Sequence, residues 1–529
     1  MPWNDVGVVY QIYPRSFLDT NNDGIGDLPG IIDKLDYVKN IVGADAIWLS
    51  PIYLSPQEDL GYDIASYTQI APEYGTMQNI EQLIDQAHKI GLKVMFDIVP
   101  NHTSDQHEWF QESRANRHSP KRDWYVWRDP QADGSPPNNW RSMAGGQSWT
   151  LDDNTGQYYL HSFLSSQPDL NWENPRVREA IKSVCRYWFR KGVDGFRVDA
   201  VWVVSKDPEL RDDPLWDNWP KDAQSYNAYR HTMCKNGPRL IEYLKDMISV
   251  AHEFRDKYFL FEYYADDQHG DMNEQLYSLH NLDPEVATTF YFEGMHFDWH
   301  AEHCADTLSQ YISGLSSQAR PVFCFSNHDQ PRIVSRFGGE EQARLIAMLQ
   351  MTLPGMPCIY YGEEIGMRNV TSDESVDSFD NNSPMGGRDP ERTPMQWNTS
   401  DYAGFSSIHP WLPVANDYTS KNAAQELNDV RSFLTLYRYL IGLRKNHRAL
   451  RHGKFNLRHT GNGYILAYTM SNDEESLGIF LNFADDEQTA SVGQPFEILQ
   501  TTHPDATVRL IDDNQLILGR FVGCLVQLK

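Results

Sequence analysis

Short apolar, β-branched runs alternate along most of the chain with longer segments in which apolar residues recur at helical spacing. The apolar runs predict strands at residues 8–14, 46–52, 93–99, 195–201, 258–264, 287–293, 321–327 and 357–363. The segments between them predict helices, among them 79–91, 178–192 and 341–355. Buried strands that alternate with helices are typical of βα units around a parallel sheet. Eight such units predict an α/β fold, the (β/α)₈ or TIM barrel.

Two long segments interrupt this alternation of strands and helices, and a C-terminal region with a different pattern follows it. The segment 101–167, after the third strand, is rich in Trp, Asn, Pro, Gly and Ser and predicts a small insertion domain, because it is too long for a simple loop. A loop subdomain at about 364–425 follows the eighth strand and precedes a last helix within 428–447. Alternating strands then predict a C-terminal antiparallel β-sandwich at 448–529, which leaves 1–100 and 168–447 for the barrel.

The charge balance is strongly acidic, with 46 Lys and Arg against 73 Asp and Glu, a formal charge of −27. Disordered acidic chains have few aromatic and apolar residues. This chain is 12% aromatic and 40% hydrophobic, so its acidic residues lie on a folded surface. Nucleic acids and anionic membranes need basic patches on their partners, and both are excluded as main partners. A neutral or cationic small ligand fits better.

The amino-terminal stretch lacks a basic segment followed by an apolar one, and no run of about 20 apolar residues occurs. We therefore expect a soluble, cytoplasmic protein. The cysteines are scattered, without a CxxC pair, and predict buried reduced thiols rather than a zinc site. They are Cys185, Cys234, Cys304, Cys324, Cys358 and Cys524.

Four carboxylates stand where predicted strands end, which is where a barrel places its catalytic groups. Asp97 lies in the third strand, Asp199 near the end of the fourth, Glu262 in the fifth, and Asp329 just past the seventh. One such residue would be an ordinary solvated group. Four of them at equivalent positions within apolar runs predict a shared site.

Arg197 and Asp199 lie two apart on one strand, so their side chains point to the same side. A guanidinium beside a carboxylate keeps it ionised, as a nucleophile requires, although a structural ion pair is the alternative. Glu262 lies among aromatic residues, where desolvation raises the pKa and suits a general acid. One ionised and one protonated carboxyl group can split a glycosidic bond. His102 and His328, also at strand ends, predict neutral donors to sugar hydroxyls rather than structural groups.

The segments DIVPNH (97–102), GFRVDAV (195–201), FLFEYY (259–264) and FSNHDQP (325–331) resemble, in order and spacing, the four signature regions of the α-amylase superfamily, glycoside hydrolase family 13. QPDLN (167–171) resembles the region that marks its oligo-1,6-glucosidase and α-glucosidase branch. The resemblance covers essentially the whole chain. It implies Asp199 as nucleophile, Glu262 as acid/base and Asp329 as the carboxylate that distorts the sugar and stabilises the transition state. The residues implied to hold glucose at the −1 subsite are Arg197, His102 and His328, supported by Asp97.

The same resemblance implies a pocket closed around the non-reducing end of the substrate. Tyr62 would stack on the sugar, and Asp63 would pair with Arg388 to close the pocket, which means exo action. Relatives that prefer α-1,6 bonds often carry Val directly after the nucleophile, whereas Ala200 resembles α-1,4-tolerant members. Phe261 stands before the acid/base, where the family usually has a small residue.

The segment DTNNDGIGD matches the first nine positions of an EF-hand calcium loop. Gly30 occupies the twelfth position, where an EF-hand needs Glu, so a full EF-hand is excluded; an Asx-rich turn is the alternative. The resemblance implies a structural Ca²⁺ or Mg²⁺ here and no organic cofactor. The implied ligands are Asp19, Asn21, Asp23, Asp27 and the carbonyl of Ile25.

Together these features imply a retaining, exo-acting α-glucosidase that releases glucose from short α-glucosides, with α-1,4 bonds favoured and transglucosylation alongside. Alternatives within the family are a glucosyltransferase or isomerase, a sucrose-cleaving enzyme and an α-1,6-specific enzyme. An endo-acting amylase is disfavoured by the predicted closed pocket. A remote alternative is a non-catalytic transporter heavy chain, which would carry a transmembrane helix and lack the complete trio of carboxylates. The oligomeric state, monomer or homo-oligomer, stays open.

Overall fold

The computed structural model describes residues 1–220, 223–264, 272–292, 297–371, 376–379, 385–512 and 514–529. Each predicted barrel strand is present within its predicted run, and each is shorter than the run. Except for residue 293, which lies outside the described residues, the last residues of each run lie beyond the ladder, in the loops that carry the site. The strands are β1 (Val9–Ile12), β2 (Ala46–Leu49), β3 (Lys93–Ile98), β4 (Gly195–Val198), β5 (Tyr258–Phe261), β6 (Ala287–Tyr291), β7 (Val322–Phe323) and β8 (Cys358–Tyr360).

The eight strands form one sheet in the order β7-β6-β5-β4-β3-β2-β1-β8, and every pairing is parallel. Each strand therefore neighbours the next along the chain, which confirms the predicted barrel. The ring closes between β7 and β8, where the N–H of Met356 donates to the carbonyl of Pro321 at 2.8 Å.

Side chains alternate between the interior of the barrel and the surrounding helices. On β5, Tyr258 and Leu260 belong to the inner apolar cluster, whereas Phe259 and Phe261 belong to the larger cluster packed against the helices. Glu262 follows this alternation and belongs to the inward set. The bulk of Phe261 is thus directed away from the site, which explains how the barrel accepts Phe at this position.

Several of the barrel helices begin directly after a residue whose side chain caps them. Asn174 accepts from the N–H of Arg176, and Thr76 and Asn79 form a capping box. The last barrel helix begins at Phe433, after the cap Ser432, rather than near 428. The helices are Leu28–Asp33, Met77–Lys89, Glu108–Arg114, Pro175–Arg190, Leu240–Ile248, Met272–His280, Ala301–Gly314, Ile333–Arg336, Glu340–Thr352, Ala423–Glu426, Phe433–Asn446 and Arg448–His452.

Smaller antiparallel sheets flank the barrel. Trp127–Arg128, Trp149–Asp152 and Gln157–Leu160 form one sheet within the segment 101–167, and Tyr53–Leu54 pairs with Ser66–Ile70. Towards the C-terminus two further antiparallel sheets enclose an apolar core of their own. Their strands are Lys454–Leu457, Ile465–Ser471, Ser476–Asn482, Gln488–Ser491, Phe496–Thr501, Val508–Asp512, Gln515–Leu518 and Gly523–Leu528. Across the described ranges, no helix has the length and apolarity needed to cross a membrane.

Candidate active site

The predicted catalytic residues meet at the carboxyl ends of the barrel strands. Asp97 on β3 and Arg197 on β4 are partners in the register, so their side chains lie side by side. Asp199 and Glu262 follow directly after β4 and β5, and Asp329 lies in the loop after β7. The parallel barrel thus brings carboxylates that are far apart in sequence to one place.

Arg197 is the centre of this group and is 1% exposed. Its Nη1 donates to Oδ1 of Asp97 at 2.9 Å and to Oδ1 of Asp199 at 2.7 Å. Its Nη2 lies 2.6 Å from Oε2 of Glu262. The same Oε2 accepts from the backbone N–H of Ala200 at 2.8 Å. Because Asp199 and Glu262 bind adjacent nitrogens of one guanidinium, their carboxyl groups lie next to each other.

One buried cation cannot neutralise three buried carboxylates, so the group must retain protons. Burial raises the pKa of Glu262, and this increase outweighs the opposing effect of Arg197. Burial likewise raises the pKa of Asp199, and it raises that of Asp97 to about 7. The site therefore supplies a protonated carboxyl group near neutral pH.

Asp329 has the opposite electrostatic setting. Its Oδ1 accepts from Nη2 of Arg392 at 2.8 Å and from Nη1 of Arg388 at 3.2 Å, and its Oδ2 lies 3.2 Å from Nε2 of His328. Burial alone would raise its pKa, but His328 and the two arginines hold the pKa well below its usual range. Asp329 is therefore ionised throughout the physiological range.

A hydrogen-bonded chain fixes His328 and Tyr62 beneath the carboxylates. Nε2 of Gln11 lies 2.9 Å from Nδ1 of His328, and Nε2 of His328 lies 2.7 Å from the Tyr62 hydroxyl. Gln11 can only donate there, so His328 carries its proton on Nε2 and the Tyr62 hydroxyl donates onward to Asp97 at 3.1 Å. Burial lowers the pKa of His328 to about 3 and that of His102 to about 4, so both rings are neutral.

The predicted pairing of Asp63 with Arg388 is wrong, because Asp59 takes that place. Nη2 of Arg388 donates to Oδ1 of Asp59 at 3.0 Å, and the same guanidinium also binds Asp377. Asp63 instead accepts from the Ser55 hydroxyl at 2.7 Å and from the backbone N–H groups of residues 58 and 59, at 2.9 and 3.1 Å. Asp63 thus holds the turn that presents Asp59.

The cavity above these groups is narrow, with a free volume of about 20 Å³. Seven of the predicted site residues line it: Tyr62, His102, Asp199, Ala200, Glu262, Asp329 and Arg388. Asp97, Arg197 and His328 lie one layer deeper and hold lining residues by the bonds above. Four further lining residues are Asp59, Phe163, Trp202 and Met385. Phe163 and Met385 come from the two long segments that interrupt the barrel, where the sequence carries no signal for pocket contact.

The loop 19–27 folds into turns closed by its own carboxylates. Asp19 accepts from loop N–H groups at 2.8 to 3.1 Å, and Asp23 accepts from Nδ2 of Asn21 at 3.0 Å. Asp27 caps the following helix by accepting from the N–H of Gly30 at 2.7 Å. The candidate ligands offer oxygen atoms only, which Ca²⁺ and Mg²⁺ prefer, but the oxygens of Asp19, Asp23 and Asp27 do not all lie within 4.8 Å of one another in this structure.

Comparison with known proteins agrees with this architecture. The family model "Alpha amylase, catalytic domain" matches residues 11–453. The chain is similar to an oligo-1,6-glucosidase of Parageobacillus thermoglucosidasius, with 39% identity over 94% of this chain and 93% of that protein. It is also similar to a probable alpha-glucosidase of Rhizobium meliloti, with 38% identity over 98% and 95% of the two chains.

Solved structures of similar proteins superpose on this chain over its full length. An alpha-glucosyl transfer enzyme superposes with a TM-score of 0.91 at 34% identity, covering 100% of both chains. The trehalose-6-phosphate hydrolase of Bacillus licheniformis superposes with a TM-score of 0.87 at 33% identity, again covering 100% of both. The family model matches most of the chain, residues 11–453. The chain therefore belongs to the α-amylase family, glycoside hydrolase family 13.

Proposed function

We propose that the protein is a retaining, exo-acting α-glucosidase that removes single glucose units from the non-reducing ends of short α-glucosides. The observation that carries this proposal is the small cavity in which Asp199, Glu262 and Asp329 lie beside the ion pair of Arg388 and Asp59. A pocket bounded by that pair leaves no groove for a polysaccharide to run through. This supports exo action and disfavours an endo-acting amylase.

The mechanism assigns the proton that the group around Arg197 retains to Glu262 and the negative charge to Asp199, and it uses which carboxylate oxygens are engaged. Oε2 of Glu262 accepts from Arg197 and Ala200, which leaves Oε1 to carry the proton that goes to the glycosidic oxygen. Asp199 attacks the anomeric carbon, and the leaving alcohol departs with that proton. Glu262, now ionised, takes a proton from water, which displaces Asp199 and releases α-glucose. The anion of Asp329 stabilises the positive charge that develops on the sugar ring.

Linkage preference is assigned to Ala200. Its side chain lines the cavity directly after the nucleophile, and a methyl group leaves more room there than a branched side chain. This supports cleavage of maltose-type α-1,4 bonds. Curated relatives carry the names oligo-1,6-glucosidase and alpha-glucosidase, so both linkages occur among similar proteins.

Transfer to a sugar is the second candidate outcome of the same intermediate. The chain is similar in structure to an alpha-glucosyl transfer enzyme and to a trehalulose synthase. We propose transglucosylation as a side reaction, with water as the main acceptor.

The test is a panel of maltose, isomaltose, sucrose and maltoheptaose, with free glucose and transfer products measured separately. We expect α-glucose as the first product, faster release from maltose than from isomaltose, and maltohexaose as the initial co-product of maltoheptaose. Internal cleavage of maltoheptaose would contradict exo action, and faster cleavage of isomaltose would contradict the role of Ala200. Transfer products that exceed glucose would make the protein a transferase.

Asp59→Asn is expected to raise KM for maltose by roughly 10- to 100-fold, because a charge-assisted hydrogen bond contributes about 1.5–3 kcal/mol. Burial raises the pKa of Asp59 to about 6 despite Arg388. As pH falls through about 6, Asp59 takes up a proton, the ion pair weakens and KM of the wild type should rise. In the Asp59→Asn variant, KM should not rise as the pH falls through about 6.

Asp63→Asn is the matched control for Asp59→Asn. It removes a negative charge four positions away but leaves the Arg388 pair in place, so its main effect should be a lower melting temperature. If Asp63→Asn raised KM more than Asp59→Asn did, Asp63 would be the residue that contacts substrate.

We also propose that the loop 19–27 holds a structural Ca²⁺ or Mg²⁺ through Asp19, Asn21, Asp23, Asp27 and the carbonyl of Ile25. Such an ion lies outside the catalytic cavity and would stabilise the loop against the carboxylate repulsion within it. Dialysis against a chelator should then lower the melting temperature, and added Ca²⁺ should restore it. An unchanged melting temperature, with no bound metal detected, would contradict the proposal.

A further inference from the structure

Away from the cavity, three buried side chains converge in the long segment that follows β4. Asp213, His231 and Cys234 are 2%, 5% and 9% exposed, and one ligand atom from each lies within 4.8 Å of the other two. In the part of the chain that the structure describes, no other group of three His, Cys, Asp or Glu side chains meets this condition. The proposed catalytic mechanism uses none of them.

The orientation of His231 leaves a nitrogen lone pair facing the other two groups. Its Nε2 lies 2.8 Å from the carbonyl oxygen of Tyr226, which can only accept, so Nε2 carries the proton. Nδ1 is therefore unprotonated in the neutral ring. It lies 3.5 Å from Sγ of Cys234 and 3.7 Å from Oδ2 of Asp213. A backbone carbonyl that fixes the tautomer of a histidine is a common feature of metal ligands.

Asp213 contributes a buried oxygen that no hydrogen bond satisfies. Its Oδ1 accepts from the N–H of Met233 at 2.7 Å, whereas Oδ2 has no hydrogen-bond partner. Leaving a buried acceptor unpaired is destabilising, and more so when the group is charged. A cation bound between Oδ2 of Asp213, Nδ1 of His231 and Sγ of Cys234 would give this oxygen a partner.

The two distances from Nδ1 of His231 are close to those between the ligands of a tetrahedral ion. Zinc bonds of about 2.0–2.3 Å at tetrahedral angles place neighbouring ligand atoms about 3.3–3.6 Å apart. The two distances from Nδ1 of His231 are 3.5 and 3.7 Å. One thiolate, one imidazole and one carboxylate form a donor set of the kind that Zn²⁺ accepts.

We propose that Asp213, His231 and Cys234 form a binding site for one divalent transition-metal ion, best matched by Zn²⁺, with water as the fourth ligand. Two anionic ligands and a divalent cation give a neutral cluster, as a buried position requires. Burial and the neighbouring Asp213 raise the pKa of the Cys234 thiol, so metal binding displaces a proton from sulfur.

The location of the cluster gives the ion a structural role. The N–H of Asp213 donates to Oδ1 of Asn139 at 2.8 Å, and Nδ2 of Asn139 donates back to its carbonyl at 2.9 Å, which ties this segment to residues 101–167. The N–H of Asn236, two residues after Cys234, donates to the carbonyl of the pocket residue Trp202 at 2.7 Å. A bound ion would thus hold together two segments that border the cavity.

The experiment uses full-length protein freed of metal by a chelator and titrated with Co²⁺ and then Zn²⁺. We expect one Co²⁺ per chain with a thiolate-to-cobalt charge-transfer absorption, its replacement by Zn²⁺, and a higher melting temperature with Zn²⁺. Cys234→Ala should abolish the charge-transfer absorption and weaken Zn²⁺ binding at least about 100-fold. Cys304→Ala, at another buried cysteine outside the cluster, should leave both unchanged.

Two further measurements keep the test decisive. Asp23→Asn in the loop 19–27 should leave the thiolate absorption unchanged, which separates the two metal proposals. X-ray absorption at the zinc edge of wild-type protein needs no variant and should find one sulfur neighbour among nitrogen and oxygen. Absence of a thiolate signal in the wild type, or its persistence in Cys234→Ala, would overturn the proposal and leave the three residues as a hydrogen-bonded cluster.

Discussion

Asp199→Asn is expected to lower the rate of maltose hydrolysis by about four orders of magnitude or more while the fold stays intact. The amide has nearly the shape of the carboxylate, yet it cannot form the covalent glucosyl intermediate. The variant also removes one of three carboxylates that share Arg197, so the melting temperature should stay the same or rise. Hydrolysis rate and melting temperature are measured on the same preparation.

Two controls separate loss of the nucleophile from general damage. Asp153→Asn removes an exposed carboxylate from the segment 101–167 and should leave the rate unchanged. Maltose should still bind to Asp199→Asn, since Arg388, His102 and Asp329 are untouched. Substantial hydrolysis by well-purified Asp199→Asn would remove Asp199 from the role of nucleophile.

Glu262→Gln is expected to slow maltose hydrolysis by roughly 10²–10⁴-fold, the usual contribution of a general acid. The loss should be much smaller for the bond-breaking step of 4-nitrophenyl α-glucoside, because nitrophenolate leaves without help from an acid. The comparison of the two substrates, followed through the initial release of nitrophenolate, measures the protonation step alone.

The pH profile gives a second measure of the same residue. Burial raises the pKa of Glu262, so the wild type should lose activity as pH rises through that raised pKa and the acid loses its proton. Gln has no such proton, and the alkaline decline should be absent from the variant. Equal losses with both substrates, or an unchanged alkaline decline, would assign the proton to another group.

Much of the barrel and of its catalytic centre is predictable because both depend on short, regular patterns. Apolar runs locate each barrel strand, and a carboxylate at the end of such a run, as with Asp97 and Asp199, must lie at the catalytic end. Alternation along a strand also accounts for Phe261, since a residue next to an inward Glu262 points outward. Strand geometry thus removes the apparent conflict with a large side chain before the acid.

The pocket wall is less predictable, because it depends on long-range closure between loops. Asp59 and Asp63 are both acidic and four residues apart, and nothing local shows which one meets Arg388. Only the folded turn shows that Asp63 is occupied by the Ser55 hydroxyl and by backbone N–H groups. The cluster around Cys234 escapes sequence inspection for a related reason, since its ligands are single residues of three types rather than a pair of cysteines.

The seam between β7 and β8 links barrel closure to substrate binding. In the described ranges these two strands share no ladder, and one backbone hydrogen bond, from Met356 to Pro321, joins their beginnings. At the opposite end the contacts across the seam include the hydrogen bond from the Ser326 hydroxyl to Glu363, at 2.6 Å, and the ion pairs of Asp329 with Arg388 and Arg392. Sugar hydroxyls that bind to Asp329 and Arg388 would therefore also stabilise the barrel between β7 and β8, where backbone hydrogen bonds are fewest. Occupied protein should therefore exchange amide hydrogens along β7 and β8 more slowly than empty protein.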